Sequence, residues 1–210
     1  PFDYTKEVYT DLLWFSEGFT SYYEWIVLLR AGIVTEREYI DHLLEMINYY
    51  KFQPGHNFRT ASSSSFNTWV KLYKPDGDLI KNYISYYLKG ELIAFALNNE
   101  IIKETKGSKS LDDIFRSMYK DFKSTGGSFN FKSLLNTVSL ISSSRVSNIL
   151  EEMVYKTNTD DYERKIEDLG YELQYSYPDG RKEPRGSIGI ILQANGQKTS
   201  IRFVIKDSPA

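Results

Sequence analysis

Residues 12–29 read LLWFSEGFTSYYEWIVLL, and no other stretch restricts the fold so tightly. The charged residues within it are Glu17 and Glu24, set among Leu, Trp, Phe, Tyr, Ile and Val. A helix of that composition is apolar on nearly every side, which predicts a buried helix rather than an amphipathic one. Thr10 or Asp11 can cap its start and Gly32 can end it, so it should run to about Ala31. Ser16, Glu17, Gly18, Thr20, Ser21 and Glu24 interrupt the run, making it a core helix and not a membrane span. At about 100° per residue, the seven-residue spacing puts both carboxylates on one face. An ionised carboxylate away from water must be neutralised, paired with a cation or bound to a metal.

The rest of the composition narrows the classes of partner. Lys plus Arg is 26 and Asp plus Glu is 28, so a net charge of -2 predicts neither nucleic acid nor an anionic membrane as partner. Cysteine is absent, which removes disulfides and thiolate metal sites. The 17 Tyr and 12 Phe predict a core of rings whose hydroxyls need partners or water. At 210 residues there is room for one sizeable core and a second small unit. Opening on Pro1-Phe2-Asp3-Tyr4, without Met or a signal-like segment, the chain reads as a piece of a longer protein, with any targeting sequence upstream.

Helical signals continue to residue 170. Thr35-Glu36-Arg37-Glu38 is a capping box opening a helix to about Tyr50, with Tyr39, Ile40, Leu43, Leu44, Ile47 and Tyr50 as its apolar stripe. His42 lies in that helix and His56 in a Pro-Gly loop. Fourteen residues apart, they lack the i, i+4 spacing of a helical zinc motif. The Ser62 to Ser65 run offers N-caps for a short helix from Phe66 to Tyr73, and Lys74 to Asp78 reads as a turn. Tyr83 to Thr105 forms a long apolar helix, Ser110 caps another to about Lys123, and residues 131–141, 145–156 and 160–168 give three more. After Gly170 the period changes to alternation: Tyr171 to Tyr177, Ile188 to Leu192 and Thr199 to Ile205, with Asn195-Gly196 as a hairpin signal. The expected fold is therefore mainly α, with residues 1–170 helical and residues 171–210 a small β segment.

Trp14-Phe15-Ser16-Glu17-Gly18-Phe19, followed by Tyr22-Tyr23, resembles the W-x-x-E-G-[FVT] segment that supplies the third zinc ligand of gluzincin metallopeptidases. Further words fall in the order of one such family: Pro1 to Tyr4, Glu7, Tyr9-Thr10, Arg30-Ala31-Gly32, Ser65-Phe66, Trp69, Ser85-Tyr86-Tyr87 and Lys89-Gly90. On these residues the chain resembles the glycyl aminopeptidases, zinc enzymes with a thermolysin-like catalytic domain and a PDZ domain. The resemblance implies the helical C-terminal half of that catalytic domain, then the start of a PDZ domain. Gly186-Ser187-Ile188-Gly189 stands where the carboxylate-binding loop belongs. It also implies zinc as cofactor and a peptide substrate losing a small N-terminal residue such as Gly or Ala.

The same resemblance assigns site residues. Glu17 is the implied metal ligand, with a structural acid as the rival reading. Tyr87, two residues before Lys89-Gly90, is the implied donor to the oxyanion of the tetrahedral intermediate, with Tyr86 as its rival and simple ring packing as the reading without the family. Glu24 is a candidate to orient a zinc-bound imidazole, against an ordinary ion pair. The H-E-x-x-H motif, which holds two zinc ligands and the general base, is absent from the 210 residues. The chain alone is therefore expected to be inactive and to bind zinc poorly. The competing reading is a non-catalytic helical scaffold whose open β edge serves protein contact.

Overall fold

The computed structural model describes residues 5–6, 8–73, 83–127, 129–158, 161–175, 190–196 and 198–204. The chain forms two compact units, Pro1–Leu169 and Gly170–Ala210. The first contains α1 (Leu13–Arg30), α2 (Glu36–Phe52), a 3-10 turn (Pro54–Asn57), α3 (Ala61–Phe66), α4 (Thr68–Lys71), α5 (Tyr86–Glu104), α6 (Leu111–Thr125), α7 (Phe131–Ile141), α8 (Ser144–Tyr155) and α9 (Tyr162–Glu167). The second contains a two-stranded antiparallel sheet, β1 (Ile190–Asn195) and β2 (Lys198–Val204). The protein is thus mainly helical with a small strand segment near its end.

Helix α5 is the spine of the first unit. From Leu88 to Leu97 every residue is buried, including Lys89 and Glu91, because α1, α2, α3, α8 and α9 pack around it. The Lys89 side chain is 0 % exposed and its ammonium points at the carbonyls of Arg59, 3.4 Å away, and Lys156, 3.5 Å away. Further along, Glu100 accepts from Arg145 of α8 at 2.9 Å and pairs with Lys165 of α9. A buried carboxylate needs such compensation, and here it ties three helices together.

The expectation that α1 is buried on every side is corrected. Trp14, Phe15, Gly18, Phe19 and Tyr22 are buried, whereas Glu24, Val27 and Arg30 are exposed and most others are half-buried. The apolar composition reflects one stripe against α5 and α3 and a second apolar face beside α6. No side chain caps α1; Leu12 is its N-cap, and the Leu12 amide donates to Thr10 Oγ1 at 3.2 Å.

At α1's centre the crossing with α5 is made by two glycines. A Cβ on Gly18 would lie 2.3 Å from Gly90 Cα, and one on Gly90 would lie 2.1 Å from the Trp14 carbonyl oxygen. Both distances are far inside van der Waals contact, so no side chain fits at either position. Close approach of another helix backbone is what Gly18 allows here.

Other elements follow local chemistry closely. Thr35 and Glu38 form the capping box of α2, and Tyr39, Ile40, Leu43, Ile47 and Tyr50 are its buried stripe. Ser110 with Asp113 caps α6, and Gly126 ends it at φ +62°. The serine run differs from expectation. Thr60 and Ser63 make the capping box, so Ser62 to Ser65 lie inside α3 rather than before it, and a break at Asn67 separates α4. Residues 171–175, expected as a strand, carry no strand hydrogen bonds. The hairpin pairs Asn195 with Lys198 around Gly196 at φ +60°, with an irregularity between Ile191 and Leu192. The turns at 74–78 and 178–180 and the loop at 186–189 lie outside the described residues.

Gly18→Ala and Gly90→Ala should each lower the unfolding free energy by about 3 kcal/mol or more, as overpacking against backbone cannot be relieved by rotamer change. Gly32→Ala, at φ +68° with open space around it, should cost only about 1 kcal/mol. Denaturant unfolding of the three variants checks this ordering; equal losses would remove the close crossing as its cause.

Candidate functional site

The glycine crossing brings the two residues singled out by sequence to one place. Glu17 immediately precedes Gly18 on α1, and Tyr87 lies three residues before Gly90, about one turn away on α5. Half-buried Glu17 is near enough for its carboxylate to push the Tyr87 hydroxyl's pKa up. Tyr87 is 36 % exposed, so the pair opens to solvent. Its helix starts at Tyr86, later than the expected Tyr83, because Ser85 is the N-cap: Ser85 Oγ accepts from the Tyr87 amide at 3.2 Å, which fixes the first turn of α5.

Three tyrosines are linked at this end of α5. The rings of Tyr86 and Tyr87 lie 4.6 Å apart, and the Tyr86 and Tyr73 hydroxyls share a hydrogen bond of 3.1 Å. The Tyr86 hydroxyl pulls the Tyr87 phenol down, while burial and the Glu17 carboxylate push it up and prevail. Tyr87 thus remains a neutral donor at neutral pH, as an oxyanion partner must. Tyr86, almost wholly buried and raised by burial and by both neighbours, faces inward; Tyr87 is the tyrosine that solvent reaches.

Glu24 is exposed and makes no hydrogen bond or ion pair among the described residues. It stands on the rim of a groove of about 990 Å³ that runs between α1 and α6, lined by Phe15, Phe19, Val27 and Phe115. That groove, the largest described, contains neither Glu17 nor Tyr87. The two histidines take other roles. His42 Nε2 lies 2.5 Å from the buried Glu91 carboxylate and its ring stacks on Trp25 at 4.1 Å, while His56 Nδ1 donates to the Gln53 carbonyl at 2.6 Å.

One donor does not make a metal site. A catalytic zinc takes three protein ligands, and among the described residues no group of three or more His, Cys, Asp or Glu could hold an ion. Glu17 fits one ligand position: its carboxylate is a half-buried, solvent-facing oxygen donor without a cation partner among the described residues.

Sequence spacing did not reveal the cluster that orients the far half of α1. Asp112 of α6 accepts from the Tyr23 hydroxyl at 2.8 Å and from Arg30 at 2.9 and 3.2 Å. Burial pushes the Asp112 carboxyl up, but the Tyr23 hydroxyl and the Arg30 guanidinium outweigh it and hold it below the usual carboxylate range. A depressed native value means stability present above the unfolded value, near 3.9, and lost as pH falls through the native one. Asp112→Asn should therefore cost about 1 kcal/mol at pH 7. The gap from wild type should close below about pH 4. Unfolding curves across that range check it, and a gap independent of pH would mean the carboxylate is not the source.

The comparisons with known proteins are consistent with this geometry. The sequence model of the M61 glycyl aminopeptidase family matches residues 1–93, a span that holds Glu17, Gly18, Tyr87 and Gly90. A crystal structure of an aminopeptidase N family protein from Idiomarina loihiensis shares the fold, with a TM-score of 0.87 and 24 % identity over 99 % of this chain. The present chain spans 37 % of that protein's length. No curated protein matches. Over residues 1–93 the chain is therefore similar to the M61 glycyl aminopeptidases.

Proposed function

We propose that these 210 residues supply part of the active site of a zinc-dependent aminopeptidase with a thermolysin-like, gluzincin-type catalytic domain. The observation that carries this reading is the meeting of Glu17 and Tyr87 across the Gly18–Gly90 crossing. Glu17 would hold one coordination position of the zinc. When bound, such an ion polarises the scissile carbonyl and lowers the pKa of a water molecule. The two imidazole ligands and the general base of H-E-x-x-H are not among the 210 residues.

Tyr87 donates its phenolic hydrogen to the carbonyl oxygen as negative charge develops there, and its neutrality at working pH makes it suited to that role. A donor placed in this way is worth about 3 kcal/mol, or 10²- to 10³-fold in rate. Tyr86 and Tyr73 hold the Tyr87 ring from behind. The substrate is a peptide with a free amino end and a small first residue such as Gly or Ala. Residues 1–210 alone, with one metal ligand and no base, do not turn over substrate. The β segment at 171–210 is read as the beginning of a PDZ-like domain, whose open strand edge offers a site for protein contact.

In the full-length natural protein, Glu17→Ala should lose bound zinc, whereas Tyr87→Phe should keep zinc and lower kcat by about 10²-fold or more. Metal analysis together with release of amino acid from Gly- and Ala-peptides measures both. A Glu17→Ala variant that retains stoichiometric zinc would sink the ligand assignment. Stoichiometric zinc and turnover by residues 1–210 alone would refute the incompleteness of the site.

A further inference from the structure

A row of rings leads away from Tyr87 through the buried Tyr86 to Tyr73 and Trp69, which are exposed again. Tyr87 packs on Tyr86 at 4.6 Å, Tyr86 is bonded through its hydroxyl to Tyr73 at 3.1 Å, and the Tyr73 ring lies 5.5 Å from that of Trp69. Tyr73 and Trp69 are 53 % and 48 % exposed, although both are large and their neighbour Thr68 is buried. The hydroxyl bond fixes the edge of Tyr73 and leaves part of its ring exposed. Such faces recognise another ring or a peptide plane by offset or tilted stacking.

We propose that Trp69 and Tyr73 form the subsite for the residue that follows the scissile bond, and that they favour an aromatic side chain there. The inference rests on the aminopeptidase reading. An aminopeptidase substrate has one residue before the scissile bond, so a surface reaching two rings beyond the carbonyl-oxygen donor is longer than that residue needs and receives the leaving part of the chain. Small first residues and a bulky second one are compatible, because the two are met by different surfaces.

Binding of Ala-Phe-amide and Ala-Ala-amide to the zinc-depleted full-length protein, followed by titration calorimetry, tests the subsite without turnover. Ala-Phe-amide should bind about tenfold more tightly. Trp69→Ala should abolish that preference, and Tyr73→Phe, which keeps the ring, should retain it. In the zinc-loaded protein, Trp69→Ala should raise KM for Ala-Phe-amide more than for Ala-Ala-amide. Equal affinity for the two amides in the wild type, or a preference that survives Trp69→Ala, overturns the proposal. If the calorimetric preference follows Trp69 but the zinc-loaded protein hydrolyses neither amide, the subsite stands and the aminopeptidase reading fails. Hydrolysis without any preference for the second residue has the opposite meaning.

Discussion

Backbone contact between Gly18 and Gly90 is the constraint on which the rest of the helical unit depends. With no side chain at either position, α1 and α5 approach until carbonyl and Cα atoms touch. That closeness lets Trp14, Phe15 and Phe19 sink into a common core on one side, where Trp14 meets Phe19 and Phe131 edge to face. It also positions the residues flanking the glycines, Glu17 and Tyr87, against each other on the solvent side. A single steric fact therefore serves packing and chemistry together. Ser65 secures the same junction, accepting from the Trp14 amide at 2.9 Å and so giving a partner to one of the orphan donors at the start of α1.

The polar groups of α5 divide by depth. Lys89, Glu91 and Glu100 are buried and are met by carbonyls, an imidazole and two cations respectively, so each has a polar partner where water is scarce. Tyr87 at the exposed end is the exception, packed on the Tyr86 ring yet open to solvent. A helix whose interior charges are all satisfied is rigid, and rigidity is what a donor must have if it is to meet developing charge without reorganisation. The far end of α1 is held in the same manner by Asp112, through Tyr23 and Arg30.

Much of this was legible in local sequence. The helix ends at Thr35, Ser110, Asn130 and Ser143 are capped by the residues whose side chains suit capping, and Gly126 sits at positive φ where a helix must stop. The Asn195-Gly196 pair closes a hairpin for the same reason. Where reading failed, a competing interaction prevailed. Thr60 captured the cap that the serines were expected to provide, and the described residues 171–175 alternate without being strand. Apolar composition overstated the burial of α1, because periodicity cannot say which of several apolar faces a neighbour will cover.

By itself, the sequence determined the helical class, the switch to strand near the end, the absence of H-E-x-x-H, and the words around Glu17 and Tyr87 that resemble the glycyl aminopeptidases. These depend on contacts within a few residues, or on residue identity alone. Only the tertiary structure decided that Glu17 and Tyr87, 70 positions apart in sequence, would meet. The same holds for the Tyr87–Tyr86–Tyr73–Trp69 row, for His42 with Glu91, and for Asp112 with Tyr23 and Arg30. Apart from the local steps Tyr86–Tyr87 and Trp69–Tyr73, each joins segments separated in the chain, and its partner is chosen by how those segments pack, which no local spacing encodes.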